Sequence, residues 1–534
     1  MAGCGGADPS PMVEAPEEPG DEVVGPDDNA GTPGLPDAPV VGGEVVKGVF
    51  VSASKGAASG DGTRLRPLTT IAAAIPLAKA KGDPVIVCAE TYPEQVVLSD
   101  GVTLFGFFDC DRLDAWKRSP DKRAKVVSPT SPAVLGENLT IPARFEGFEV
   151  ESPDMPGSAS AGVPAQSSYG MVLRHSKNLN VGHVSILAGS GQDGADGVEP
   201  ASGNVERSPQ QAGTWKEGQR LCTGDANLCH ALAGFSVTGA TGGYSSCTVG
   251  PNGGYGGQGG NGPVSMNGAL RYVLTGAEKS GKPYGASTLG TAQGAPALGN
   301  LASVKGSDGS PGATGTLGSN GEWSFDLSGF RPGDGKAGEN GTPGQGGGGG
   351  AGTGAMWFAY DRPMTTSSLP DAVLWGAVGA GGGAGGCGGL AGSAGTGGGA
   401  SVGVLLIGSD AITLDSSRVA TKKGGRGGRG TLGTLGLPGG AGGPGEYVGP
   451  GPQEPRPSGL YGGAGGRGGA GGAAGLGGHG APGPSVALAF TGQRPVVKAT
   501  TLVTGSGGDG SPVLSRGQQT LPATSGIAKS EHMF

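Results

Sequence analysis

SYGMVLRHSKNLNVGHVSILAGSGQDG, residues 168–194, aligns without a gap on SVGVLLIGSDAITLDSSRVATKKGGRG, residues 401–427, and on PSVALAFTGQRPVVKATTLVTGSGGDG, residues 484–510. Apolar or small residues recur at the same offsets: Leu179, Val181, Val184, Ile186; Ile412, Leu414, Ser417, Val419; Pro495, Val497, Thr500, Leu502. Each set is two pairs spaced by two, separated by a step of three. Spacing by two puts side chains on one face of a strand, and an odd step re-aims the chain at a corner. This is how one coil of a β-solenoid turns, so the expected fold class is all-β. Glycine-rich sequence follows every copy, and the first and third end alike, in Gly189-Ser190-Gly191-Gln192-Asp193-Gly194 and Gly505-Ser506-Gly507-Gly508-Asp509-Gly510.

Of 534 residues, 119 are Gly and 41 Pro, together about 30% of the chain, against roughly 12% in ordinary proteins. Only 15% are charged and 5% aromatic, less charge than a solvated disordered chain carries. The apolar residues gather into short Val, Ile and Leu runs bounded by glycine, as strands do. The net charge of −8 is uneven, because residues 1–46 hold ten acidic residues and no Lys or Arg, leaving +2 for the rest. With eight prolines from Pro9 to Pro39, residues 1–44 are expected to form an extended, self-repelling tether.

That tether starts Met1-Ala2-Gly3-Cys4. Small residues before a cysteine resemble the end of a bacterial lipoprotein signal peptide, which implies a lipidated Cys4 and a location at the outer membrane or cell surface. No later run approaches the ~18 apolar residues of a membrane helix. Six cysteines remain: Cys88, Cys110, Cys222, Cys229, Cys247 and Cys387. An even number outside the cytoplasm suggests three disulfides of open pairing, with Cys88 to Cys110 favoured because both border one short β region. Cys222, Cys229-His230 and Cys247 lack a standard Cys-x-x-Cys spacing for zinc, so a disulfide staple and no metal is expected there.

After the tether, 45–52 reads as a strand. The Ala-rich stretch 67–80 places Ile71, Ile75 and Ala78 on one helical face, with Thr69 or Thr70 to cap its start, Gly82 its end, and Pro76 to kink or shorten it. In order come Gly60-Asp61-Gly62-Thr63, Arg66-Pro67, Thr70-Ile71, Val85-Ile86-Val87, Tyr92-Pro93-Glu94, Val96-Val97-Leu98 and Val102-Thr103-Leu104-Phe105-Gly106. This series, over 45–109, resembles the first module of bacterial pectin-lyase-like right-handed parallel β-helix proteins. The resemblance implies a helix capping one end of such a solenoid, an opening module at 45–110, coils at 111–188 and 398–515, and a tail at 516–534. About 8 to 12 coils, each adding ~4.8 Å, would make the rod.

Between the coils lie glycine-rich insertions, at 189–397 and 424–483, similar to those of large bacterial lipoproteins loosely described as PE-PGRS-like, a description that rests on composition. They leave the coil at one corner, since the stretches from Gly189, Gly424 and Gly505 follow the same strand. Glycine does not recur strictly every third residue across them, which argues against collagen. Runs such as 346–350 and 379–389 either stay flexible or pack as extended chains whose backbones lie close. Trp357 and Trp375 sit in apolar islands that pack back onto the coil or, alternatively, offer a sugar-stacking surface.

Many β-helix proteins are polysaccharide lyases or hydrolases, chemistry that needs facing carboxylates or a metal beside a base. The best candidates are Glu146, Glu149 and Glu151, with Arg144, on a strand run 144–151; charges of a solvated face explain them as well, and no catalytic residue is assigned. Asp193 and Asp509, with Asp196 near the first, resemble single units of a calcium-binding repeat that works in tandem. Isolated as they are, turn-forming Asp is the favoured reading and calcium the alternative. Lys422, Lys423, Arg426, Arg429 and Arg467 make Arg-Gly-Gly elements like those of RNA-binding tails, but without a basic excess a nucleic-acid partner is not expected. The functional expectation is a non-enzymatic surface lipoprotein, structural or adhesive, with polysaccharide as the compatible partner. The alternative is a polysaccharide lyase or glycoside hydrolase on the same scaffold.

Overall fold

The short apolar runs form strands in three parallel sheets, and one helix accompanies them among the described residues. The structure is a computed structural model that describes residues 40–41, 44–45, 47–119, 121–201, 242–245, 247, 305–350, 356–358, 373–375, 379–445, 447–448, 460–461 and 463–534. Sheet 1 has six strands: Val96–Leu98, Val134–Glu137, Ser168–Arg174, Ser401–Ile407, Ser485–Phe490 and Ala528–Met533. Sheet 2 runs through Leu104–Asp109, Ala143–Glu146, Leu179–Gly182, Thr413–Asp415 and Val496–Lys498. Sheet 3 holds Thr91–Tyr92, Ala124–Val127, Phe148–Glu151, Ser185–Ala188, Arg418–Thr421 and Thr501–Val503. From Val96 onward the chain visits sheets 1, 2 and 3 in that rotation, so each strand pairs with its counterpart in the next round.

The step of three in the repeats marks a corner. His183, Ser416 and Ala499 adopt positive φ of 52°, 47° and 43° there, and Gly147 takes the same place one round earlier at 77°. The left-handed region turns the chain sharply between sheets 2 and 3. Leu179, Val181, Val184 and Ile186 are all buried, as are Ile412, Leu414 and Val419. Where the repeats carry Ser417 and Thr500 instead, the hydroxyls accept from backbone N–H groups of the round before, Val184 to Ser417 Oγ at 3.0 Å and Ser417 to Thr500 Oγ1 at 3.2 Å. Inward polar residues are thereby satisfied. The gap-free alignment holds in sheets 2 and 3, where Leu414 pairs with Val497 and Val419 with Leu502. In sheet 1 it is off by one: Ser401 pairs with Ser485, not with Pro484, which has no N–H to give.

One end of the stack is closed by the helix Ile71–Lys81, whose Ile71, Ala74, Ile75 and Ala78 are buried against the first strands. Thr70 caps its start, Gly82 its end, and the helix runs through Pro76 to Lys81 where a kink or earlier stop was expected. The Tyr-x-Glu element explains itself here. Tyr92 donates to the carbonyls of Val51 and Cys88, and Glu94 accepts from the N–H groups of Ile71 at 2.8 Å and Ala72 at 2.9 Å. A carboxylate at a helix N-terminus satisfies otherwise orphaned donors and complements the dipole. Glu94→Ala is expected to lower stability by about 1.5 kcal/mol, read as a shift of the urea midpoint at unchanged slope.

The glycine-rich insertions are ordered where described. They leave sheet 3 after Ala188, Thr421 and Val503 and return to sheet 1 at Ser401, Ser485 and Ala528, the fixed corner that the sequence indicates. Buried serines close two of these necks: Ser401 Oγ donates to the Gly189 carbonyl and accepts from the Lys422 N–H, and Ser485 Oγ donates to the Lys422 carbonyl. Beyond the necks, extended segments run side by side. Gly306, Gly309, Gly312, Gly315, Gly318 and Gly321 donate to the carbonyls of Ala464, Arg467, Ala470, Ala473, Leu476 and His479, one bond for every three residues. The same interval links 335–350 to 380–395 and 465–483 to 425–443, in both cases antiparallel. Three residues per turn without internal hydrogen bonds is the geometry of polyproline II.

Glycine does recur every third residue within a segment, contrary to the impression from the insertions as a whole. Turns and additional glycines mask the period. Segment 463–483 lies at the centre: its N–H groups donate to 336–348 and to 425–443, and its carbonyls accept from 306–321 and 380–398. That crowding accounts for its high glycine content, 12 of 21 positions, with Ala474 and Ala481 interrupting a run of two glycines in three. Two further expectations change. Among the described residues, sheets 1 and 3 have six strands each, short of the 8 to 12 coils expected, because the packed insertions take up chain. Residues 516–534 are not a tail; Gln519–Leu521 pairs with Leu514–Arg516, and Ala528–Met533 is the last strand of sheet 1.

Candidate functional site

The run 144–151 is divided by the positive-φ corner at Gly147 into Ala143–Glu146 on sheet 2 and Phe148–Glu151 on sheet 3. Glu149 and Glu151 therefore do not share a face with Glu146, and the proposed trio is not assembled. The spacing from Phe145 to Phe148, a step of three as in the repeats, is the sequence signal of that corner. Glu151 pairs with Lys125 at 2.7 Å. Phe145 points into the core, stacked on Phe148 at 4.3 Å between ring centres, so Arg144 and Glu146 face the other way.

There Arg144 Nε lies 2.6 Å from Glu146 Oε1, and Glu146 is 4% exposed. Phe107 sits between Arg118, whose guanidinium carbon is 5.3 Å from its ring centre, and His183 at 5.8 Å. Burial pushes the Glu146 carboxyl above its ordinary range, while Arg144, Arg118 and His183 pull it back. The next acid on that ladder, Asp415, is separated from Glu146 by the strand position of Gly182, about 9.6 Å at the backbone for two strand spacings. That is the far end of the range for an inverting carboxylate pair. Glu146 is committed to Arg144, an arrangement suited to holding the sheet face together.

Asp193 and Asp196 accept from the N–H groups of Arg426 and Arg429, each at 2.7 Å, and Asp196 also pairs with the Arg426 guanidinium at 2.8 Å. Asp509 pairs with Lys423 at 2.6 Å and Asp154 with Lys422 at 3.0 Å. The acids considered for calcium and the bases considered for RNA are thus each other's partners across the packed segments. In the same way, Asp308 accepts from the N–H of Arg467. Cys88 is bonded to Cys110, and Cys247 to Cys387; Cys4, Cys222, Cys229 and His230 lie outside the described residues. The group Cys88, Glu90 and Cys110 is close enough to hold a metal ion, but its two sulfurs form the disulfide. Met356–Phe358 and Val373–Trp375, which carry Trp357 and Trp375, pair antiparallel.

Sequence reasoning passed over His479. It is fully buried in the central segment, and its Nδ1 accepts from the N–H of Gly430 at 3.1 Å. In the neutral ring the proton is therefore on Nε2. Burial, then Arg429, lowers the His479 pKa from 6.5, with Pro512 opposing. A depressed pKa means that the unfolded chain binds the proton first. Stability is thus full above pH 6.5 and declines as pH falls below it. Urea midpoints measured from pH 8 to pH 5 are expected to drop on the acid side, and His479→Gln to flatten that drop. Beside His479, the hairpin of Leu514–Arg516 and Gln519–Leu521 stands in for a missing neighbour: Leu514 and Leu521 cover Leu476, Arg516 donates to the carbonyls of Gly433 and Ala474, and Gln519 to that of Gly315.

Compared with known proteins, the chain matches no family model, no curated protein and no solved structure.

Proposed function

We propose that the protein is a non-enzymatic surface lipoprotein, a right-handed parallel β-helix rod that a lipid on Cys4 holds at the bacterial outer membrane. It does structural or adhesive work there, with envelope or extracellular polysaccharide as its partner. The observation that carries this reading is that the glycine-rich segments bond to one another at every third residue and pair their own charges, a stiff scaffold whose polar groups are spent on cohesion. The rotation of the chain through three parallel sheets supports the β-helix, and the strong right-handed preference of parallel crossovers supports its hand. No described helix is long and apolar enough to cross a membrane, so in this reading the lipid is the anchor.

The test is intact mass and membrane partitioning of the protein made in its native bacterium with its upstream sequence. A diacylglyceryl and acyl addition on Cys4, and release into the soluble fraction by Cys4→Ser, are expected. An unmodified Cys4 in soluble protein would remove the anchor and the surface role.

A further inference from the structure

Three of the extended pieces converge on a cavity of about 320 Å³ lined by Gly321, Glu322, Trp323, Ala481, Pro482, Thr524 and Ser525. Its floor is the buried Ala481-Pro482 end of the central segment, and its walls are the end of 305–322 and the 524–525 stretch. Among the described residues, Trp323 is the one aromatic lining it. The indole packs against Phe325 at 6.0 Å, Phe330 at 6.1 Å and His532 at 5.5 Å between ring centres. These packings fix the ring's orientation, and Phe325 is itself anchored in the apolar cluster on the outer face of sheet 1. The Glu322 side chain is exposed, and so is Ser525; Thr524, whose Oγ1 accepts from the Ser511 N–H at 2.9 Å, also lines the cavity.

We propose that this cavity binds one neutral hexose unit of a polysaccharide. A braced indole presents a flat apolar platform of the size of a pyranose ring, whose axial C–H groups pack on a π face. A carboxylate accepts from two adjacent sugar hydroxyls, and hydroxyl side chains serve as donor or acceptor. The volume is at the small end for ligand sites and admits a single ring. An organic ammonium is disfavoured because it is held by a cage of several aromatics, and here a single one lines the cavity. The site is open at one side, so the rest of a polymer can pass out past Glu322. The proposal deepens the adhesive reading and rests on it for the source of the sugar.

The experiment uses the purified full chain, with titration calorimetry and saturation-transfer NMR against methyl glucoside, methyl galactoside, methyl mannoside, the corresponding disaccharides, and choline as the cationic control. Saturable binding of at least one glycoside is expected, weakened about tenfold by Trp323→Ala and similarly by Glu322→Gln. Because Trp323→Ala removes packing as well, Ser525→Leu, which fills the cavity from an exposed position, provides a second loss of binding with the fold intact. Choline binding without glycoside binding would overturn the sugar assignment. Glycoside binding that survives both Glu322→Gln and Ser525→Leu would place the sugar elsewhere and overturn this site while leaving the adhesive reading standing. Loss of the Cys4 lipid, conversely, would leave this binding unchanged.

Discussion

Gly475→Ala is expected to destabilise the protein by about 3 kcal/mol although it adds a single methyl group. A Cβ at Gly475 would lie 1.7 Å from the carbonyl oxygen of Thr316. That oxygen cannot withdraw, because it accepts from the N–H of Glu339, whose own carbonyl accepts from Gly475. Any shift that makes room for the methyl therefore lengthens bonds to two neighbouring segments at once. The effect is steric and has nothing to do with positive φ, which Gly475 does not have. Ala470→Ser, at an exposed position of the same segment, is the control, and less than about 0.5 kcal/mol is expected. Urea unfolding of the two variants beside the parent measures both.

Arg144→Met should cost a similar amount, about 3 kcal/mol at neutral pH, because it strands the buried Glu146 carboxylate. The pH dependence separates this cause from lost packing. Glu146 already has its carboxyl raised by burial, and Arg144 is the foremost group opposing that rise. A raised folded pKa means that the folded state keeps the proton longer, so stability is lost as pH rises through the carboxyl range. Without Arg144 the rise is larger. The gap between parent and variant should therefore narrow as pH falls toward 4.5, the ordinary value for Glu. Arg144→Met with Glu146→Gln should recover most of the loss at neutral pH, measured by urea midpoints.

Much of the scaffold was legible because it obeys local rules. The step of three located the corners, the apolar pairs located the inward faces, and the stretches after Ala188, Thr421 and Val503 located the exits. The Ala-rich stretch 67–80 indicated a helix with Thr69 or Thr70 at its start and Gly82 at its end, and Cys88 with Cys110 followed from their borders on one β region. The last strand was missed because Ala528–Met533 is mostly polar and is held to Ser485–Phe490 by backbone pairing; Glu531 there is balanced by Arg494 at 2.6 Å. The acids 146, 149 and 151 were read as one run because the corner at Gly147 was not applied outside the three aligned copies.

The glycine segments were the least legible for a different reason. A polyproline II chain makes no hydrogen bonds within itself, so nothing local reports whether it has neighbours. What does report it is the glycine content: one in three along 306–321, which borders two segments, and 12 of 21 along 463–483, which borders four. Asp193, Asp308 and Asn320 then read as acceptors for N–H groups of the adjacent segment, a role invisible until the neighbour is known.

Amide hydrogen exchange over 463–483 reads out the packing of the glycine-rich segments on one another. Gly465, Gly468, Gly471, Gly477, Gly480 and Gly483 each donate to a carbonyl of 425–443, so peptides from this stretch should exchange as slowly as those from Ser401–Ile407 in sheet 1. Complete exchange within seconds, while sheet 1 stays protected, would mean that the glycine-rich chains are loose loops on a β scaffold and not a packed array.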